Sequence, residues 1–166
     1  LIAHSSKRMN EIFIDVDRIA PRLKIKKVGE IQKIYDPIRK RYFVLTPEEF
    51  VRQIFLVHLI EVLKYPKLLI QVEKEVLVNT LKKRFDVLVF NKKGSAIMLI
   101  ECKNTQLKLT ENVLEQAVNY NLSLKVPFLI ITNGISTLAF RIDFEKSSWV
   151  ALEEIPEWQS LMILSL

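Results

Sequence analysis

The sequence predicts a mixed α/β domain: a helix, a three-stranded meander, a second helix and a strand, followed by a small β appendage. Three observations predict it. Thr46-Pro47-Glu48-Glu49 reads as a helix start. Three strand-length stretches, Leu68–Val78, Arg84–Phe90 and Ile97–Lys103, come next with short breaks between them. After Thr110 the pattern returns to helix and then to the apolar strand Pro127–Thr132. A chain of 166 residues fits one hydrophobic core, and a second independent one is hard to accommodate.

Each element has its own signal. In the first helix Thr46 caps, Pro47 takes the first helical position and Glu48 and Glu49 fill the first turn; the helix should run to about Lys64 and stop before Pro66. Asn91-Lys92-Lys93-Gly94-Ser95 supplies a turn between the second and third strands. Thr110 should cap a helix reaching about Lys125, and Asn133-Gly134 ends the strand after it. Thr137–Asp143 and Ser148–Leu152 form the appended hairpin. Residues 10–35 are ambiguous. The expected division is a basic segment 1–33, a domain 34–158 and a tail 159–166.

Composition removes several functional classes. Cys102 is the only cysteine and His4 and His58 the only histidines, which leaves no disulfide and next to no basis for a Cys/His zinc site. Gly29, Gly94 and Gly134 stand far apart, so no clustered glycines cradle a nucleotide phosphate and no ATP site is expected in this chain. No apolar run is long enough to span a membrane; Arg52, Gln53, His58 and Glu61 interrupt the most apolar helix. The first eight residues, LIAHSSKR, lack the features of a secretory leader, Met9 would be a natural start, and a cytoplasmic location is expected. Residues 1–46 hold 11 Lys/Arg against 5 Asp/Glu, which accounts for the whole net charge of +6. Such a segment suits a polyanion, although solvated surface charge is an equally ordinary use of it.

The hairpin carries the chemistry. With a two-residue loop at Lys93-Gly94, Lys92 pairs with Ser95 and Asp86 falls opposite Glu101, side chains on one face. Lys103, two residues on, shares that face. A single bulge would undo this register. The flanking residues Val87–Phe90 and Ile97–Ile100 are apolar on both faces, placing the hairpin inside the sheet. Two carboxylates about 5 Å apart repel by roughly 3 kcal/mol at an effective dielectric of 20. A lysine offsets part of this, and a hard divalent cation more. The plain alternative is a salt-bridged surface hairpin.

Arg84-Phe85-Asp86 followed by Ile100-Glu101-Cys102-Lys103-Asn104 resembles the core of PD-(D/E)xK nucleases. Glu115–Tyr120 resembles the QxxxY motif some of them carry, and Leu45–Gln53 and Val126–Gly134 resemble parts of the N-terminal nuclease domain of type I restriction enzyme motor subunits. The resemblance covers about residues 34–158 and implies a restriction-endonuclease-like core. It implies metal ligands at Asp86, Glu101 and the backbone carbonyl of Cys102, with Mg²⁺ as cofactor and Mn²⁺ as substitute. Lys103 would be the catalytic lysine. Glu49, preferred to Glu48, would be the helix-borne acid, although favourable placement near a helix N-terminus explains either one. Gln116 would join the catalytic set and Tyr120 the DNA contacts, with Arg39, Lys40, Arg41, Arg84 and Lys108. Phe85 stands where the motif's proline would be, and the helicase motor is absent from this sequence. The expected function is therefore a metal-dependent deoxyribonuclease domain, with DNA and other restriction-modification subunits as partners. The alternative is a DNA-binding or assembly module that keeps the fold without catalysis; RNA cleavage is a weaker third. Cys102, His58, Trp149 and Trp158 read as core or packing residues.

Overall fold

The computed structural model describes residues 9–78 and 81–164. The order is β1 (Ile12–Phe13), α1 (Val16–Ile19), β2 (Ile25–Val28), β3 (Ile31–Asp36), β4 (Arg41–Val44), α2 (Pro47–Val57), β5 (Ile70–Val78), β6 (Leu81–Phe90), β7 (Ala96–Cys102), α3 (Glu111–Asn121), β8 (Phe128–Thr132), β9 (Ser136–Asp143), β10 (Ser148–Ala151) and α4 (Trp158–Leu164). This is a mixed α/β fold. Among the described residues β5, β6, β7, β8 and β9 lie side by side, with β1 and β10 both on the far edge of β9. All neighbours are antiparallel except β7 and β8, the pair joined through α3. A parallel pair needs such a crossover, and α3 supplies it. β3 spans residue 33 and pairs with both β2 and β4 in a second, three-stranded sheet.

The helix start forms as the sequence predicts, with Thr46 accepting the Glu49 N–H at 3.1 Å. Its far end differs. After Val57 the helix widens into a π turn, His58–Val62, and Lys64 closes it in the left-handed region at φ +63°. The main sheet separates two apolar layers. On one side α2 packs Val51, Ile54 and Phe55 against Val87, Val89, Met98, Ile100 and Ile130. On the other α3 packs Leu114, Ala117 and Val118 with Leu88, Leu99, Leu129 and Ile131. Each such side chain, fully buried, contributes about 1.5–3 kcal/mol. Gly134 (φ +87°) turns the chain beneath α2, where a Cβ would lie 3.1 Å from Val51. Trp149 packs edge-on against Phe140 and Trp158 against Tyr65, as packing residues should. No helix among the described residues is long and apolar enough to cross a membrane.

Candidate functional site

The hairpin reaches the expected register by an unexpected route. The loop is one residue longer than the sequence predicts, for Asn91 and Ser95 close it and Phe90 pairs with Ala96. A bulge beside Val89 and Phe90 then restores the pairing, giving Val89↔Met98, Leu88↔Leu99 and Val87↔Ile100. The two departures cancel. One rung further, the face alternation fails. Phe85 and Leu88 both pack in the α3 layer, although strict alternation would put them on opposite faces. Across β5 the matching residue is Glu73, held at φ +49° between the pairs Val72↔Val87 and Lys74↔Phe85. Both strands thus change face at the rung occupied by Glu73 and Asp86.

Asp86 consequently lies where β6 and β7 part. Its Oδ2 accepts the Cys102 N–H at 2.8 Å and its Oδ1 accepts from Arg52 Nη2 of α2 at 2.7 Å. From there a network runs through the α2 side. Arg52 also pairs with Glu49 and lies 3.3 Å from Glu73. Arg39 bonds Asp36 at 2.7 Å, Glu73 at 3.0 Å and Glu49 as well. Gln53 donates to Asp36 at 2.9 Å and to Glu49 at 2.8 Å. Asp36 is fully buried and also accepts the N–H groups of Ile38 and Arg39, each at 2.7 Å, a turn that fixes where the Arg39 side chain begins. Burial works against the charged form of Arg52, but the hydrogen bond to Asp86 and the charges of Asp86 and Glu49 outweigh it and hold the guanidinium above its ordinary pKa. The network borders an open groove of about 500 Å³, lined in part by Glu49, Arg52, Glu73, Arg84 and Asp86.

Glu101 and Lys103 are partly exposed, with Lys103 Nζ on Glu101 Oε1 at 2.8 Å. Burial pushes the Glu101 carboxyl up and the charge of Asp86 adds to this, while Lys103 and Arg52 oppose it. The expected rung of Asp86 opposite Glu101 on one face is not formed. The pairing of β6 with β7 ends at Val87↔Ile100, Asp86 turns to Arg52 on the α2 side, and Glu101, between Ile100 and Cys102 of the α2 layer, alternates to the other face. Tyr120 of α3 donates to the Arg84 carbonyl at 3.0 Å and lies tilted against Phe85, ring centres 5.0 Å apart, bracing β6 two residues before Asp86. Burial raises its pKa, with the charges of Glu101 and Asp86 adding to the effect. Gln116 is exposed on the same helix. Cys102 is buried, and burial raises its thiol pKa well above the ordinary range.

Of the basic residues expected on DNA, Lys40, Arg41, Arg84 and Lys108 are exposed, with Arg84 tied to Glu73 at 2.9 Å. Arg39 differs: its side chain is 12% exposed and fully engaged with acids, its guanidinium 3.3 Å above the Phe43 ring. Sequence reasoning missed Arg52, Gln53, Glu73 and Asp36. For Arg52 and Gln53 a signal existed, since both interrupt an apolar helix at i+3 and i+4 from Glu49. Glu73 had none, because its place depends on the change of face.

Residues 47–156 match the family model for the type I restriction enzyme R protein N terminus (HSDR_N). The chain belongs to this family. The matched span begins with α2 and includes Asp86, Glu101, Lys103, Gln116 and Tyr120, while Asp36 and Arg39 of the network lie before it. No curated protein matches the chain. Among solved structures, one similar chain is a fragment described as an HsdR subunit of a type I restriction enzyme from Vibrio vulnificus YJ016, at 21% identity and a TM-score of 0.37. That match covers 57% of this HSDR_N chain and 18% of the other.

Among the described residues, no three His, Cys, Asp or Glu side chains gather closely enough to hold a metal ion by themselves. The HSDR_N acids are instead neutralised by Arg39 and Arg52 on the α2 side and by Lys103 beside Glu101. The donor chemistry nevertheless suits a hard divalent cation. Asp86 and Glu101 offer carboxylate oxygens, and the Asp86 charge raises the cost of charging Glu101. In an extended strand the N–H and C=O of one residue point to the same side. The Cys102 carbonyl should therefore share the side on which its N–H meets Asp86.

Proposed function

We propose that this chain is a metal-dependent deoxyribonuclease domain with a restriction-endonuclease-like, PD-(D/E)xK core, acting on DNA alongside other restriction-modification subunits. The observation that carries the reading is the hydrogen bond from the Cys102 N–H to Asp86 at the parting of β6 and β7. It ties that carboxylate to the strand segment bearing Glu101 and Lys103, where Lys103 Nζ lies on Glu101. Membership of the HSDR_N family supports it.

Mg²⁺, or Mn²⁺ in its place, would be held by Asp86, Glu101 and the Cys102 carbonyl. When bound, the cation would supply charge neutralisation at the phosphodiester and acidify the attacking water. The protein's own groups do the rest. Glu101 holds the Lys103 ammonium in place, and Lys103 orients the water and stabilises negative charge developing on the phosphate. Tyr120 keeps β6 in position from the α3 side. Lys40, Arg41 and Lys108, all exposed, are available to meet the DNA backbone.

The test is cleavage of plasmid, linear and single-stranded DNA with Mg²⁺, Mn²⁺ or EDTA. Asp86→Ala and Glu101→Ala should abolish metal-dependent cleavage. Lys103→Ala should keep cation binding and lower turnover by roughly 10²-fold or more, as loss of a group acting in the chemical step does. Equal cleavage by all three variants and the parent would place the activity elsewhere.

A further inference from the structure

Arg52 has an odd position for a residue in an apolar helix. Its side chain is 6% exposed, and its Nε is buried without a hydrogen-bond acceptor among the described residues. Buried arginines are ordinarily satisfied at every donor, so this one is held by its Nη groups alone. Its Nη2 lies 2.7 Å from Asp86 Oδ1 and 3.3 Å from Glu73 Oε1, a geometry with a strong partner and a weaker one already in reach. Glu73, the weaker partner, sits in the left-handed backbone region at φ +49°, which a residue with a Cβ rarely adopts. Such outliers persist where the surroundings hold them, and they concentrate at functional sites. Here the conformation keeps the Glu73 carboxylate among Arg39, Arg52 and Arg84 at the rung it shares with Asp86.

We propose that Arg52 and Glu73 are positioning residues that form a counterion relay: Arg52 neutralises Asp86 until a divalent cation takes that oxygen, and then transfers its Nη2 to Glu73. The inference rests on the metal-dependent reading above. It explains how Asp86 can be arginine-bound and still be a cation ligand. Arg52 need not leave the interior, because Glu49 retains its other nitrogen and Glu73 receives the released one. The movement is a shift of one hydrogen bond. Without Glu73, releasing Arg52 from Asp86 would leave a buried charge short of a partner, which is strongly unfavourable.

Mn²⁺ titration of the full chain by calorimetry, in the absence of DNA, tests this independently of catalysis. Arg52→Met should bind Mn²⁺ about tenfold more tightly, because the competing guanidinium is gone, an effect within the ordinary range of coupling between adjoining sites. Glu73→Gln should bind about tenfold more weakly. In the Arg52→Met background, however, Glu73→Gln should change affinity by less than about twofold, since no arginine remains to be received. A general charge effect would instead make the Glu73→Gln loss equal in both backgrounds, and that result overturns the relay. So does an unchanged or weakened affinity in Arg52→Met. Should Arg52→Met fail to fold, Arg52→Lys, which keeps the charge but loses the planar pair of nitrogens, takes its place. It should give a smaller gain and a reduced Glu73→Gln effect, and parental values for both would overturn the relay. Asp86→Asn separates the two readings, for Mn²⁺ binding unchanged by it would refute the cation site itself.

Discussion

The two sides of the main sheet meet the same pair of strands with opposite chemistry. On the α2 side the region beside Asp86 is a buried lattice of Arg39, Arg52, Asp36, Glu49 and Gln53, linked through Glu73 and closed to all but a shallow groove. On the α3 side the neighbours are Lys103 on Glu101, both partly exposed, and Tyr120 bracing β6 through a carbonyl. One site is thus built in two electrostatic regimes. Buried charges must be matched closely and move little; half-exposed ones are screened and can change partner or protonation at small cost. The α2 side is suited to holding Asp86, and the α3 side to proton traffic at Glu101.

The largest effect expected from this contrast is on stability. Arg39 contacts three carboxylates at 12% exposure, whereas Lys40, its sequence neighbour, is exposed. Arg39→Ala leaves buried acids uncompensated and should cost about 3–5 kcal/mol in urea unfolding. Lys40→Ala should stay within about 0.5 kcal/mol. A loss below about 1 kcal/mol for Arg39→Ala would show that the lattice is not a buried one in the energetic sense, and the contrast between the two sides would collapse.

That contrast also marks what the sequence could express. The helix start and the main strand and helix stretches were legible because they arise from local capping and from the spacing of apolar residues, as Thr46, Val87–Val89 and Leu114–Val118 illustrate. The pairing Val87↔Ile100 was also reached, although by two compensating departures at Asn91–Ser95 and Ile97 that cancel in the count of residues. The strands β2, β3 and β4 were not legible. Their apolar residues Ile25, Val28, Ile31 and Val44 stay half-exposed, so neither period nor burial singled them out. The same physics hid the network. Arg39 read as part of a basic run with Lys40 and Arg41, Asp36 carried no signal of its own, and only folding against α2 turns both inward. Glu73 could not be found at all, because alternation assigns it a face that the step at Asp86 reverses.

A second, smaller effect separates the sides by pH. In the folded protein the Glu101 carboxyl titrates above its ordinary value, chiefly through burial. A raised group of this kind favours folding below the unfolded carboxylate pKa, and that contribution is lost as pH rises through the folded one. Glu101→Gln cannot titrate and escapes the loss. The melting temperature of Glu101→Gln relative to the parent should therefore be more favourable at about pH 7 than at about pH 4. If the difference is the same at both, or runs the other way, burial does not govern Glu101 and the α3 side is not the proton-active one.

The smallest effect concerns the exposed basic residues and reaches function without reaching stability. The net charge of +6 lies wholly in residues 1–46, but the structure withdraws Arg39 from any role on the surface. What remains for a polyanion includes Lys40 and Arg41, next to Arg39 in the chain, and Lys108 in the loop before α3. Each phosphate neutralised releases condensed counterion and adds about −0.9 to the slope of log K against log salt on duplex DNA. Replacing Lys40, Arg41 and Lys108 with glutamine, with Arg39 left intact, should weaken binding on every sequence and flatten that slope by about one to three units, according to how many reach the backbone. Measured in EDTA, cleavage does not interfere. Because all three are exposed, unfolding free energy should hardly move, so a lost slope cannot be blamed on a lost fold. An unchanged slope would mean that these charges are only solvated surface, and that DNA, if this chain binds it, is gripped elsewhere than beside the Arg39–Glu49–Arg52 lattice.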